Sequence, residues 1–280
     1  MVQEAIEMFE NPDNKILQDK ELYIFDMDGT IYLGSQVFDF AVKFINALRA
    51  SGRRVLFFTN NASHTSDFYL TKLTRLGFAP TRDEIMTSGD VTVEFLTRHR
   101  KGKRVYLVGT DELVADFAAR GINIVSGDEQ SADIVITSFD TSLTYKKLDD
   151  ACRLIRGGAE YLSTHPDYNC PTETGFIPDS GAIAAFCTAS TGKTPTYFGK
   201  PYRQTVEMIS EATGVSLDKM CIFGDRLYTD IALGKKHGVT AVLVYTGETT
   251  RADVENALEA DRPDFVFDSL AEADAAIFGA

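Results

Sequence analysis

Leu22-Tyr23-Ile24-Phe25-Asp26-Met27-Asp28-Gly29-Thr30 decides how the rest of the chain is read. Four apolar residues in a row suit a strand buried on both faces, and the Asp, Gly and Thr that follow suit a turn. Asp26 therefore belongs at the C-terminal end of a strand. While the backbone stays extended, side chains two apart point the same way, so Asp26 and Asp28 project to one side and Met27 to the other. Gly29 lets the backbone approach a ligand closely. Neighbouring carboxylates repel, and one solution is a cation coordinated by one of them while the other carries a proton. That arrangement sets a nucleophile beside a general acid. On its own the same string also suits a solvent-facing turn, so the reading needs support from elsewhere.

Working outward, Phe40, Ala41, Phe44, Ile45 and Leu48 recur at helical spacing, Gly52 closes that helix, and residues 54–58 form a second apolar strand before Thr59-Asn60-Asn61. This is a βαβ unit. Such units cross over right-handedly into a parallel sheet, whose ligands bind beyond the C-terminal strand ends. Asp26 and Thr59 are then expected to face one crevice. The Thr59 hydroxyl with the amides of Asn60 and Asn61 suits phosphate oxygens, although Thr-Asn-Asn alone is an ordinary turn.

Strands and helices continue to alternate. The basic cluster Arg98, Arg100, Lys101, Lys103 and Arg104 marks a boundary, so the expected division is a core domain of residues 1–100 plus 195–280 and an inserted domain of residues 101–194. In the returning core, Lys200 lies between Gly199 and Pro201 just before an expected helix at residues 204–213, where a cation can stabilise a phosphoryl group. Asp225 follows the apolar residues 220–223 and Gly224, again at a strand end, and Asp230 comes five residues later near the start of a helix expected at 229–238. Mg2+ suits such a set, because it is held by one or two carboxylates plus waters and substrate oxygens. A helix-start acid is the plainer account of Asp230.

Taken together, Asp26-Met27-Asp28-Gly29-Thr30, Thr59-Asn60, Lys200 and Gly224-Asp225 through Asp230 resemble, in order and strand-end placement, the four motifs of the haloacid dehalogenase superfamily. The long insert and Gly199-Lys200-Pro201 resemble subfamily IIA, the NagD-like and 4-nitrophenyl phosphatase-type sugar or nucleotide phosphatases. The resemblance extends over essentially the whole chain. It implies an α/β fold: a Rossmann-like, doubly wound parallel-sheet core domain with a large inserted α/β cap domain of the C2 type. It also implies that Asp26 attacks phosphorus to form an aspartyl phosphate, and that Asp28 protonates the leaving alcohol and then activates water. Mg2+ would be held by Asp26, the Asp28 carbonyl and Asp225, with Asp230 orienting the metal site, while Gly29, Thr59, Asn60, Asn61 and Lys200 would bind phosphate. An acid at Asp28 argues against dehalogenation, since a departing halide needs no proton.

Substrate choice is expected to lie in the insert, where Ser163-Thr164-His165-Pro166-Asp167 and Pro178-Asp179-Ser180-Gly181 bracket a loop. Related caps usually carry Asn where this chain has His165. That departure either shifts leaving-group preference or makes a local hydrogen bond, and His165 and Asp167 are both candidate substrate residues. By analogy, association as a homodimer through the cap is expected.

The resemblance implies a small phosphorylated metabolite as the partner, and composition argues against other kinds. A net charge of -13 opposes nucleic-acid binding, which depends on lysine and arginine neutralising phosphates. Early acids such as Glu4, Glu7 and Glu10 are wrong for a secretory signal, and the apolar runs fall short of the roughly 20 residues a membrane helix needs, so no membrane partner and a cytoplasmic location are expected. The four widely spaced cysteines signal neither disulfides nor zinc. Alternatives on the same fold are a phosphotransferase passing phosphate to a second alcohol, or a phosphate-binding regulatory protein.

Overall fold

The computed structural model of the chain describes residues 9–172 and 175–279. The chain divides into two compact units, one from Met1–Val55 with Val215–Ala280 and the other from Leu56–Gly214.

In the first unit, four parallel strands lie side by side in the order Phe265–Phe267, Thr240–Val244, Met220–Gly224 and Leu22–Phe25. The two strands that matter most are buried along their whole length, as near-continuous apolar runs in parallel sheets require. Their register pairs Leu22 with Met220 and Phe25 with Phe223. Phe25 stacks on Phe223 at a centroid distance of 4.9 Å, and Phe44 meets both rings edge-on at 5.8 and 5.7 Å. Phe44 comes from helix Ala41–Ala50, whose buried Ala41, Phe44, Ile45 and Leu48 recur at i, i+3, i+4 and i+7. Where the sequence reads one helix at residues 229–238, the structure has a π-helical turn over Leu227–Ile231 and then a short helix, Ala232–His237. The Asp230 carboxylate accepts the Arg226 amide at 3.2 Å, which stabilises this wider turn directly after the strand.

In the second unit, strand Arg54–Thr59 runs parallel to Ile85–Thr87, with Thr59 level with Thr87. Helix Ser88–His99 follows, opened by a capping box between Thr87 and Asp90. Asp90 is nearly fully buried and also bonds Ser66, Arg120 at 2.6 Å and Arg82 at 3.3 Å. A five-stranded parallel sheet occupies the middle of this unit in the order Thr196–Tyr197, Glu160–Ser163, Ile134–Thr137, Arg104–Val108 and Asn123–Ile124. Helices Tyr145–Arg156 and Ser180–Thr191 pack together over one face, burying Leu148, Cys152, Ile155, Ile183 and Cys187. The sequence leaves residues 168–178 as a loop, whereas Asn169–Thr172 and Gly175–Pro178 pair as an antiparallel ribbon with Phe176 exposed. Among the described residues, no helix is long and apolar enough to cross a membrane.

Because Phe223 is fully buried beneath three aromatic neighbours, Phe223→Ala should cost about 3–5 kcal/mol. Urea unfolding checks this; a loss under about 1 kcal/mol would mean that the ring is not packed as described.

Candidate active site

The strand register carries Asp26 past Phe25 to the level of Gly224, and the Asp26 amide donates to the Phe223 carbonyl at 2.9 Å. Asp225 leaves the neighbouring strand at the same end. Side-chain oxygens of Asp26, Asp225 and Asp230 lie within 4.8 Å of one another. Asp225 and Asp230 are 1% and 0% exposed, and Asp26 is half-buried. Asp28 is exposed, on the turn closed by the Gly29 amide donating to the Tyr32 carbonyl at 2.7 Å.

Three glycines leave room for this cluster. A Cβ on Gly29, which also has φ +93°, would stand 2.5 Å from an Asp225 oxygen. One on Gly247 would stand 2.0 Å from the same carboxylate, and one on Gly224 would meet the Asp230 Cβ at 2.1 Å. Backbone approach therefore fixes the carboxylates: the Glu248 amide donates to Asp225 Oδ2 at 2.8 Å, and Thr246 Oγ1 donates to the Gly29 carbonyl at 2.7 Å. The donor set fits a hard divalent cation, which takes carboxylate and carbonyl oxygens and offsets the repulsion among acids held this close.

Arg226 is a member of this cluster that the sequence reading passes over. Its Nε lies 3.0 Å from Glu248 Oε2. Burial works to lower its pKa, but Tyr228, Asp225, Asp26 and Glu248 outweigh it and hold the guanidinium firmly charged. A cation type directly after a strand-end Asp was the available signal.

In the second unit a different set converges. Asn60 is 7% exposed and holds the backbone of Lys200 from both sides: Asn60 Oδ1 accepts the Lys200 amide at 2.7 Å, and Nδ2 donates to the Lys200 carbonyl at 2.9 Å. The same Nδ2 donates to Asp167 Oδ2 at 3.1 Å. Lys200 is 3% exposed, with Nζ 5.5 Å from the centre of the Phe58 ring. Gly199 (φ +72°) has no space for a side chain, since a Cβ would fall 2.7 Å from His165 Cβ and 2.8 Å from Asn60 Oδ1. Thr59 is half-buried, and its Oγ1 accepts the Asn61 amide at 3.2 Å; Asn61 Oδ1 in turn accepts the Ser63 amide and hydroxyl. His165 is fully buried, with Nε2 2.8 Å from Asp179 Oδ1. Asp26, Asp225 and Asp230 thus gather in one unit, and Asn60, Lys200, His165 and Asp167 in the other. Asp179, missed in the sequence as a partner of His165, caps helix Ser180–Thr191, and an Asp before Ser-Gly is a cap signal in itself.

Carboxylates fixed at parallel strand ends, one of them half-buried with an exposed acid two residues on, suit phosphoryl transfer, and the chain's relatives make it a hydrolase of phosphoric monoesters. The chain belongs to the haloacid dehalogenase-like hydrolases: that family's profile matches residues 23–123, and a second HAD-hydrolase-like profile matches residues 197–273. The chain is 32% identical to the 5'-nucleotidase YutF of Bacillus subtilis over 250 residues, covering 89% of this chain and 96% of that protein. The 4-nitrophenylphosphatase of Thermotoga maritima matches in structure with a TM-score of 0.87 and 42% identity, over 94% of this chain and 99% of that one. A glycerol phosphate phosphatase of Mycobacterium tuberculosis, solved in complex with calcium, matches with a TM-score of 0.83 and 30% identity, over 91% of this chain and 75% of that one.

Since a Gly224 Cβ would displace Asp230, Gly224→Ala should weaken divalent-cation affinity by about 10- to 100-fold, the usual effect of disturbing groups that orient a metal site. Calorimetric titration with Mg2+ measures it, and an unchanged affinity in the folded variant would remove Asp230 from any role there.

Proposed function

We propose that the chain is a Mg2+-dependent phosphatase of small phosphomonoesters, a nucleotide, sugar phosphate or related metabolite, acting through an aspartyl phosphate on Asp26. The observation that carries the reading is the cluster of Asp26 with Asp225 and Asp230 at parallel strand ends, two residues before the exposed Asp28. The names of the related proteins, which act on nucleotides, 4-nitrophenyl phosphate and glycerol phosphate, support this breadth of substrate.

In the first half-reaction an Asp26 carboxylate oxygen attacks phosphorus in line, the ester P–O bond breaks, and Asp28 gives its proton to the departing alkoxide. In the second, Asp28, now ionised, takes a proton from water. That water oxygen bonds to phosphorus, the Asp26–phosphorus link breaks, and orthophosphate leaves with the Asp26 carboxylate restored. Asp26, the Asp28 carbonyl and Asp225 would hold a divalent cation, with Asp230 orienting them, and that cation would neutralise charge on the phosphoryl oxygens. Lys200 and the Thr59 loop are assigned to binding those oxygens, with the Asn60 clamp fixing where the Lys200 backbone sits. Glu248, through Arg226, keeps a fixed positive charge beside the nucleophile.

Phosphate release from a panel of small esters, with and without Mg2+, tests the reading. Asp26→Asn should abolish turnover while leaving the fold intact. Metal-independent turnover, or turnover that survives the substitution, would overturn it.

A second measurement isolates the acid. Loss of a general acid costs about 10²–10⁴-fold where the leaving group needs a proton. Asp28→Asn should therefore slow hydrolysis of alkyl phosphates far more than that of 4-nitrophenyl phosphate, whose phenolate leaves readily unprotonated. Equal losses on both would assign Asp28 to another task.

A further inference from the structure

His165 sits where the proton inventory can be counted. Its ring is fully buried, and both nitrogens face oxygen. Nδ1 lies 3.0 Å from Thr164 Oγ1 and 3.3 Å from Ser88 Oγ. Each hydroxyl has a single proton to give. Ser88 gives its proton to the carbonyl of Asn60, which can only accept, and Thr164 directs its own to Ser138 Oγ at 3.0 Å. Both therefore turn lone pairs toward Nδ1, which must carry hydrogen. Nε2 faces Asp179 Oδ1 at 2.8 Å, a carboxylate oxygen that already accepts the Ser180 amide at 2.6 Å. Nε2 must carry hydrogen too.

We propose that His165 is an imidazolium at neutral pH, and that it is a positioning residue which holds the Asn60 clamp, and through it Lys200, against the start of helix Ser180–Thr191. The path is short. From Nδ1 it runs through Ser88 to the Asn60 carbonyl, and the Asn60 carboxamide then grips both backbone groups of Lys200. At the root of the side chain, His165 Cβ fills the space that a side chain on Gly199 would need. With both nitrogens committed and no exposed surface, the ring offers nothing to a leaving group. It acts on the substrate only through what it holds.

The surrounding charges agree. Burial alone would push the imidazole pKa down, but the Asp179 carboxylate, its hydrogen bond and Asp167 outweigh it and hold the group above its ordinary value. The N-terminus of helix Ser88–His99 faces the ring from the other side and works against the cation. Asp90 in that first turn is taken up by Arg82, Arg120 and Thr87, and Lys200 follows Gly199 in the chain. Since the folded pKa is raised, the stabilisation is complete below the unfolded value of about 6.5 and is lost as pH rises through the folded value.

The positioning role rests on the reading that Lys200 binds phosphate; the charge state does not, so the test has two arms. In the intact protein labelled with ring-15N histidine, His165 should give two N–H correlations above pH 7, where ordinary histidines are neutral. The other three histidines, His64, His99 and His237, provide the internal comparison. One protonated and one bare nitrogen at His165 would overturn the proposal whatever the enzyme does. For the second arm, His165→Gln should reduce kcat/KM by a similar factor, about 10- to 100-fold, for alkyl and aryl phosphates alike, as loss of a supporting shell does. A loss that tracks the leaving group would place the ring against substrate and overturn the positioning role, as would full activity. If the variant does not fold, the nitrogen spectrum of the unaltered protein still decides the charge. If the unaltered protein hydrolyses no ester at all, the phosphatase reading fails, while the two N–H signals still decide the imidazolium.

Discussion

The in-register parallel pairing of Leu22–Phe25 with Met220–Gly224 is the constraint on which the carboxylate cluster depends. Asp26 and Asp225 are separated by about two hundred residues of chain, and nothing in their own chemistry draws them together. Two unit charges 4–5 Å apart repel by about 3–4 kcal/mol at the effective dielectric of a protein surface. The strand cores supply the opposing force. Burying a Phe side chain is worth about 1.5–3 kcal/mol, and Phe25, Phe44 and Phe223 are all at 0% exposure in one interlocked group. A slip of the register would break that group before it moved the acids, so apolar packing decides where the polar chemistry happens.

Given that register, the remaining shape of the cluster follows from backbone closeness. Gly29, Gly224 and Gly247 each stand where a side chain would collide with Asp225 or Asp230. The π-helical turn over Leu227–Ile231 has the same function by other means. A regular helix starting directly after the strand would rotate Asp230 elsewhere, whereas the wider turn returns its carboxylate to the Arg226 amide. Arg226 then completes the arrangement with a positive charge held in place by Glu248, which Tyr228 also bonds.

The strand ends were legible in the sequence because apolar runs of four or five residues stop at Asp26, Thr59 and Asp225, and the alternation of strands and helices gave the α/β class. What stayed hidden has a common physical origin. The Asn60 clamp on Lys200 spans 140 positions, and no local pattern reports a hydrogen bond of that reach. Thr-Asn-Asn pointed to the Thr59 hydroxyl and the amides of the loop and said nothing of the Asn60 carboxamide, whose direction is set by tertiary neighbours. The helix read at residues 229–238 failed at its start for a similar reason: the bond between Asp230 and the Arg226 amide overrides the local helical preference. The Asn169–Thr172 and Gly175–Pro178 ribbon carries polar and proline residues that no strand pattern favours, and it packs on helix Ser180–Thr191 instead of depending on propensity.

The buried polar group around Asn60 illustrates why such a network is kept whole. A half-satisfied one costs more than an apolar core, since each orphaned donor or acceptor bears its full desolvation penalty, about 1–3 kcal/mol. Here Asn60 uses both its carbonyls and its amide nitrogen, Ser88 and Thr164 each pass on their proton, and Asp179 accepts from both a ring nitrogen and a helix amide. Removing any member strands another. The loop bearing Lys200 therefore has one arrangement that satisfies every group, with no gradual slide available to a second. A lysine whose backbone is held in that way, buried and with its ammonium over the Phe58 ring, has already surrendered conformational freedom that a surface lysine would lose on meeting an anion.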